Sequence, residues 1–184
     1  MARCYSRAVS RRQTFLAALW LVSDARNDAV LEAMLKRVPR GSGLIFRHYH
    51  LAPGERRARF AALARIARTR GHSVVLSGSA RMARAWGADG AYGAPGLLAK
   101  GPPLLRLATV HSLTELAQAR RADAVVLSPV FSTRSHPGAA TLGPIRFLLV
   151  ASRARQPVIA LGGVNPHRAR CFGLVRWAAI DGLS

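Results

Sequence analysis

The hydrophobic pattern of the chain alternates between short apolar runs and longer stretches with helical spacing. Eight runs have the composition of buried strands: Phe15–Ser23, Gly43–Tyr49, Ser73–Ser77, Gly90–Gly93, Leu105–His111, Ala124–Phe131, Pro157–Gly163 and Trp177–Leu183. Stretches in which apolar residues recur every three or four positions lie between most of them: Asn27–Arg37, Arg56–Arg70, Leu113–Arg121, Leu142–Ala154 and Pro166–Leu174. Strands that alternate with helices in this way predict a parallel sheet.

The number of strand candidates favours one closed arrangement of that sheet. Eight parallel units predict a (β/α)8 TIM barrel, with an open doubly wound sheet as the alternative. The fourth unit is weak, because Gly93–Pro103 contains three glycines and three prolines and has the composition of a loop. With 184 residues the barrel would be a minimal one, and we expect its final helix to be short or missing. We assign residues 14–184 to this single domain and residues 1–13 to a basic, disordered extension.

The charge of the chain indicates an anionic ligand. Lysine and arginine number 28 against 8 acidic residues, a formal net charge of +20, which attracts phosphorylated molecules. All but Lys36 and Lys100 are arginines scattered through the helices, without the aromatic platforms of nucleic-acid modules, so nucleic-acid binding is only an outside candidate.

Cys4 and Cys171 have no metal-ligand spacing, and no run approaches the ~18 apolar residues of a membrane span. We expect a cytoplasmic protein.

Two segments carry the chemistry of a phosphate site. The strand at Ala124–Leu127 breaks into a loop of hydroxyls, cations and a glycine, with Ser128, Thr133, Arg134, Ser135 and His136 at the strand end where parallel α/β proteins bind ligands. Gly162 and Gly163 end the seventh strand before Asn165, a plausible helix cap, so that backbone N–H groups can approach a phosphate closely. The alternative for the glycine pair is a turn that needs a positive φ.

Four segments resemble, in the same order along the chain, motifs of the thiamine phosphate synthase and TenI superfamily. They are Leu19-Trp-Leu-Val-Ser-Asp24, Val110-His-Ser112, Ser128-Pro-Val-Phe-Ser-Thr133 and Val158-Ile-Ala-Leu-Gly-Gly163. The similarity covers roughly residues 14–184 and is densest from Arg106 onward. It implies a small (β/α)8 barrel of cytoplasmic thiamine biosynthesis.

The resemblance implies one of two activities. The synthase branch joins hydroxymethylpyrimidine diphosphate to a thiazole phosphate with magnesium, and the TenI branch aromatises a thiazole phosphate by moving protons without a metal. Where synthases carry Asn-Asp after the third strand and an aspartate after the fourth, this chain has Ser77-Gly78 and Tyr92-Gly-Ala-Pro-Gly96. Magnesium prefers carboxylate oxygens. We therefore expect no metal and no other cofactor.

The resemblance also implies roles for individual residues. His111 matches the position of the proton-transferring histidine of TenI-type enzymes, although synthases often carry a structural histidine there. The synthase pattern Gln-x-Arg-x-Lys is reduced to Arg47, and His136 stands where a lysine is expected. We predict that His111 is catalytic. We predict substrate or phosphate binding by Arg47, Thr109, Thr133, Arg134, His136, Gly162 and Gly163.

Other polar residues at predicted strand ends receive simpler interpretations. His48 and His50 share one face without a nearby carboxylate and are interpreted as a polar strand end. Asp24 closes the first strand on the ligand side, where it can orient a bound group. Asp181 lies near the end of the eighth strand, where it would repel a phosphate unless Arg134 or another cation neutralises it.

Three functions remain open on the sequence. They are a TenI-like enzyme acting on a thiazole phosphate, a thiamine phosphate synthase with an altered metal site, and a non-catalytic protein that binds a phosphorylated ligand. The expected partner is a phosphorylated small molecule, either thiazole phosphate or thiamine phosphate. A homodimer is left open, and no membrane partner is expected.

Overall fold

The computed structural model describes residues 16–133, 138, 140–181 and 183 and has the predicted architecture. Eight parallel strands follow one another around a closed barrel, and β8 pairs with β1. The strands are β1 (Leu19–Val22), β2 (Gly43–Phe46), β3 (Ser73–Ser77), β4 (Gly90–Gly93), β5 (Leu105–Val110), β6 (Ala124–Leu127), β7 (Val158–Leu161) and β8 (Trp177–Ala179). Closure confirms the (β/α)8 barrel and rules out the open sheet.

Helices alternate with these strands on the outside of the barrel. They are α1 (Asp28–Arg37), α2 (Pro53–Thr69), α3 (Ala80–Ala85), α4 (Pro95–Leu98), α5 (Leu113–Gln118), α6 (Gly143–Ala151) and α7 (Pro166–Cys171), with a 3-10 turn at Ala25–Asn27 before α1. The fourth unit, whose glycines and prolines predict a loop, contains a single helical turn at Pro95–Leu98. The sequence pattern did not predict the six-residue helix α3.

The two ends of the chain are described only in part. The predicted disordered extension, residues 1–13, lies outside the described residues. After β8 the described residues are Ile180, Asp181 and Leu183, and none of them is helical. No helix in the described part of the chain is long and apolar enough to cross a membrane.

Side chains alternate between two apolar layers along each strand. Trp20, Val22, Ile45, Val75 and Leu107 point into the barrel, while their neighbours on the strands pack outward against the helices. The same inward alternation leads to polar residues at or just beyond the ends of five strands: Asp24, Arg47, Ser77, Thr109 and Ser128. The barrel interior is therefore an apolar core, and polar side chains begin only at its mouth, at the carboxyl ends of the strands.

His72 is buried at the opposite end of the barrel from this mouth. Its Nε2 lies 2.9 Å from the Leu35 carbonyl oxygen, which can only accept, so Nε2 carries the hydrogen. Its Nδ1 is buried without a hydrogen-bond partner among the described residues. Burial lowers the pKa of His72, and the charges of Arg70 and Arg40 act in the same direction against the bond to Leu35. The neutral ring is the form that the fold stabilises.

We expect stability to fall as the pH drops below ~6.5, the ordinary histidine value. A histidine whose pKa is lower in the folded state than in the unfolded state contributes its full stability above the unfolded-state pKa. That contribution is lost as the pH falls from the unfolded-state pKa toward the folded-state pKa. The lowered pKa values of Asp24 and Asp28 make stability depend on pH only below 3.8. A change in stability between about pH 6.5 and 5 therefore comes from the histidines. Thermal unfolding of the His72→Gln variant, whose amide can still donate to Leu35, should show a shallower decline. An equal decline in both proteins would contradict this assignment.

Candidate active site

A cavity opens at the carboxyl ends of the strands. Its volume is about 620 Å³, in the range that holds a small organic ligand. Its lining is mainly apolar, with a few polar groups. The lining residues are Arg47, Tyr49, Ser77, Gly78, Tyr92, Gly93, Ala94, Leu97, Thr109, His111, Ser128, Pro129, Thr133, Ala140, Leu161, Gly162 and Ile180. Such a lining suits a small, largely apolar ligand that also carries an anionic group for Arg47.

His111 lies directly after β5 at the rim of this cavity. Its backbone N–H donates to Glu115 Oε2 over 2.8 Å, and the neighbouring Ser112 caps α5, so the turn that carries the histidine is held at both ends. Its Nδ1 lies 2.7 Å from the Ser128 carbonyl oxygen. Because a carbonyl cannot donate, Nδ1 carries the hydrogen, and in the neutral ring Nε2 keeps its lone pair. The exposed imidazole therefore offers a base at Nε2.

Arg47 is the single arginine or lysine among the described residues that line the cavity. It follows β2 and is half-buried, and its guanidinium carbon lies 5.5 Å from the centre of the Tyr49 ring. Tyr49 occupies the position of the expected lysine, and its hydroxyl makes a short hydrogen bond to Ser77. An aromatic surface thus replaces the second cation of the synthase pattern.

Arg56 was not identified from the sequence, although it organises this side of the mouth. Its Nε donates to the Arg47 carbonyl over 2.8 Å and its Nη2 to the Ser77 carbonyl over 2.8 Å. Its guanidinium carbon also lies within 5.8 Å of the ring centres of Phe46, Tyr49 and Trp86. Burial lowers its pKa. By bonding two carbonyls at once, Arg56 ties the end of β2 to the end of β3.

Tyr92 and Thr109 supply hydroxyl groups on the wall of the cavity. Tyr92 is only 7% exposed, and burial raises its pKa to about 12, with Arg47 opposing the shift. The phenol is therefore protonated at neutral pH and can donate a hydrogen bond. Thr109 lies on the inward face of β5, two residues from His111. Both side chains can contact a ligand that His111 reaches.

Gly162 and Gly163 form a tight junction between β7 and the loop after β6. Their φ angles are +100° and +62°, and a Cβ on Gly162 would lie 2.8 Å from Pro129 Cα. A Cβ on Gly163 would lie 2.9 Å from Phe131 Cβ. Positive φ and close packing both require glycine here, so the turn interpretation is correct. It does not exclude a ligand, because a second cavity of about 190 Å³ also borders both glycines, Thr133 and Asn165.

The carboxylate of Asp181 borders this second cavity, and a cation neutralises it. Arg26 Nη1 lies 2.8 Å from Asp181 Oδ2, and Arg26 Nε lies 2.9 Å from Asp24 Oδ1. Burial would raise the pKa of Asp24, but the hydrogen bonds and charge of Arg26, with the charge of Arg47, hold it below its usual value. Arg26 therefore links the turn after β1 to the end of β8 and offsets negative charge that would repel a phosphate here.

His48 differs from its interpretation as a polar strand end. It is 1% exposed, and its Nε2 lies 2.8 Å from Asp28 Oδ1. Burial lowers the pKa of His48 against the opposing effect of Asp28. The nearby carboxylate escaped sequence reasoning because it belongs to the first turn of α1, twenty positions earlier in the chain.

The predicted site residues fall into three groups. Arg47, Thr109, His111, Thr133 and Gly162 border the main cavity, and Gly163 borders the adjoining one. Arg134 and His136 lie outside the described residues.

The positions that hold magnesium carboxylates in synthases do not fit that ion here. Ser77 is hydrogen-bonded to Tyr49, Gly78 has no side chain, and the end of β4 presents Gly93 and then Ala94 to the cavity. These neutral groups supply none of the carboxylate oxygens that magnesium prefers.

Comparisons with known proteins bear on this site. The family model described as thiamine monophosphate synthase (TMP-TENI) matches residues 107–180, which include His111, Thr133 and the glycine pair. The putative thiamine-phosphate synthase 2 of Aquifex aeolicus (strain VF5) is 40% identical over 67 residues, 35% of this chain and 36% of the relative. Both likenesses are to the thiamine phosphate synthase and TenI superfamily, and each covers less than half of this chain. They do not separate its branches, and the chain matches only about a third of the length of this relative.

Solved structures share the fold. The thiamine phosphate pyrophosphorylase from Pyrococcus furiosus superimposes with a TM-score of 0.74 at 23% identity, over 88% of this chain and 84% of the other. The thiamine phosphate pyrophosphorylase from Bacteroides thetaiotaomicron gives 0.60 at 14% identity, over 91% and 84%. At these identities the likeness establishes the barrel alone.

Proposed function

We propose that the protein is a TenI-like enzyme of cytoplasmic thiamine metabolism that aromatises a thiazole phosphate by proton transfer. The observation that carries the proposal is the arrangement of His111, whose Nδ1 is committed to the Ser128 carbonyl while Nε2 keeps a lone pair at a largely apolar cavity. A base of this kind needs only a positioned ring carbon to act on.

The imidazole takes a proton from one carbon of the bound ring at Nε2 and returns it to another. During this step the ring is an imidazolium, and its Nδ1–H points at the Ser128 carbonyl oxygen 2.7 Å away. The carbonyl dipole stabilises that transient charge. The apolar wall, which includes Leu97, Leu161 and Ile180, contacts the faces of the ring and keeps water from it.

The phosphate of the ligand is assigned to the place where the two cavities adjoin, at Thr133 and Gly162, with Arg47 on the side of the main cavity and Gly163 on the side of the smaller one. Backbone near the glycine pair can approach a phosphate closely because neither residue has a side chain. Cations stabilise a phosphate beside the Asp181 carboxylate, a role we assign to Arg47, to Arg134 and, more weakly, to His136. The homodimer that the sequence leaves open is independent of this assignment of the phosphate.

A thiamine phosphate synthase is the second candidate, favoured by the likeness to the putative thiamine-phosphate synthase 2 of Aquifex aeolicus. A diphosphate leaving group requires compensation of its charge. The sector formed by Tyr49, Ser77 and Tyr92 supplies hydroxyl groups and rings in place of carboxylates for a metal. This composition favours the isomerisation.

Purified protein should aromatise the non-aromatic thiazole phosphate at an unchanged rate in the presence of EDTA. The same preparation, given hydroxymethylpyrimidine diphosphate, aromatic thiazole phosphate and magnesium, should release no thiamine phosphate above background. Both products can be followed by chromatography. Magnesium-dependent formation of thiamine phosphate would contradict the proposal and select the synthase, while binding without either reaction would select the non-catalytic protein.

A further inference from the structure

Arg47 lies one residue beyond the end of β2, where the pairing with β3 ends at Phe46 and Leu76. The backbone N–H and the carbonyl of Arg47 are nevertheless both hydrogen-bonded. Its N–H donates to Ser23 Oγ over 2.8 Å, and its carbonyl accepts from Arg56 Nε over 2.8 Å. Two side chains, rather than the sheet, fix the peptide of the arginine that faces the cavity.

The hydroxyl of Ser23 is itself oriented by a chain of side chains. Ser23 Oγ lies 2.7 Å from His48 Nδ1, and His48 Nε2 lies 2.8 Å from Asp28 Oδ1. The Asp28 carboxylate only accepts, so Nε2 carries the ring hydrogen and Nδ1 presents a lone pair. The Ser23 O–H therefore donates to Nδ1, which leaves the lone pairs of Oγ for the N–H of Arg47.

The contacts of His48 fix the orientation of its ring in this series of hydrogen bonds. The His48 side chain is 0% exposed and stacks on Phe46, with ring centres 4.7 Å apart and planes 6° from parallel. Arg59 Nε holds Asp28 Oδ1 from the other side over 2.8 Å. His48 has φ +37°, a left-handed conformation that non-glycine residues adopt where their contacts fix it.

A serine, a histidine and an aspartate joined by hydrogen bonds suggest a nucleophilic serine, but Ser23 cannot act as one. Ser23 is 0% exposed, so its hydroxyl cannot meet a substrate. Its oxygen also accepts the N–H of Arg47. This series of hydrogen bonds therefore ends on the backbone N–H of Arg47 at the mouth of the cavity and not on a reacting atom.

We propose that Asp28, His48 and Ser23 form a positioning relay that fixes the peptide of Arg47 so that its guanidinium meets the anionic part of the ligand. The role of Arg47 toward a ligand rests on the proposed function. The relay itself is a property of the free protein. Its members are positioning residues, because none of them borders the cavity.

Amide hydrogen exchange in the ligand-free protein tests the relay directly. Ser23→Ala removes the acceptor of the Arg47 N–H, so exchange of that amide should rise by roughly 10-fold relative to the Phe46 amide on the same strand. The matched control is Ser42→Ala, which removes another buried hydroxyl and should leave the ratio unchanged. A ratio that is unchanged in Ser23→Ala, or changed equally in Ser42→Ala, would overturn the proposal.

Substitutions of His48 keep the test decisive if Ser23→Ala does not fold. Asparagine tolerates a left-handed φ and can offer an oxygen near the position of Nδ1, so His48→Asn should stay within about 2-fold of the natural exchange ratio. His48→Ala should behave like Ser23→Ala. Equal ratios in His48→Asn and His48→Ala would show that His48 does not act through its hydrogen bond.

A double-mutant cycle separates positioning from a general structural effect. Ser23→Ala should weaken thiazole phosphate binding by ~2- to 10-fold when Arg47 is present and should have no further effect in the Arg47→Ala background. Equal weakening in both backgrounds would overturn the relay. If the natural protein binds no thiazole phosphate, the proposed function fails, whereas the exchange ratios still decide the relay.

Discussion

Replacing His111 with alanine is expected to lower aromatisation of the thiazole phosphate by ~10²–10⁴-fold while leaving ligand affinity nearly unchanged. The reason is that Nε2 acts on the transferred proton and makes little contact with the bound ground state. Turnover and binding should be measured on the same preparation, by steady-state kinetics and calorimetry. A loss confined to the turnover number identifies a group that acts in the transition state.

His111→Asn is the matched variant for this experiment. The asparagine amide can donate to the Ser128 carbonyl in place of Nδ1–H, but it has no basic nitrogen at the position of Nε2. Its turnover should fall as far as that of His111→Ala, with a smaller effect on stability. His50→Ala removes an exposed histidine that does not border the cavity and should leave turnover unchanged. Undiminished turnover in both His111 variants would make that histidine a structural residue.

The sequence predicts the barrel because its pattern is local. Each strand is a short apolar run, and the inward face follows from an alternation of two residues, which leads from Ile45 to Arg47 and from Leu107 to Thr109 and His111. A parallel barrel brings these strand ends to one face. The mouth residues could therefore be named without coordinates.

The contacts that orient these residues could not be predicted, because they join distant parts of the chain. Arg26 and Asp181 are 155 positions apart and meet only when β8 closes against β1. Arg56 belongs to the first turns of α2, where its guanidinium folds back over the end of β3. Such arginines look like ordinary solvated helix residues in a chain of charge +20. Their roles depend on contacts with other elements of the fold, which no local pattern encodes.

Arg47→Ala should weaken binding of the thiazole phosphate by ~10- to 100-fold. A hydrogen bond between charged groups contributes roughly 1.5–3 kcal/mol, and no other arginine or lysine among the described residues borders the main cavity. The loss should shrink at high salt, since ions screen the partly exposed guanidinium. Calorimetric titrations at low and high ionic strength measure both effects.

Arg57→Ala is the charge-matched control for this variant. Arg57 is exposed on α2, away from the residues that border the cavity, so its removal changes the net charge equally. If Arg47 acts by direct contact, the control should change affinity by less than about 2-fold, because long-range attraction is shared by all the arginines. Equal losses in the two variants would show that the ligand responds to the overall field of the protein and not to an arginine that the relay positions.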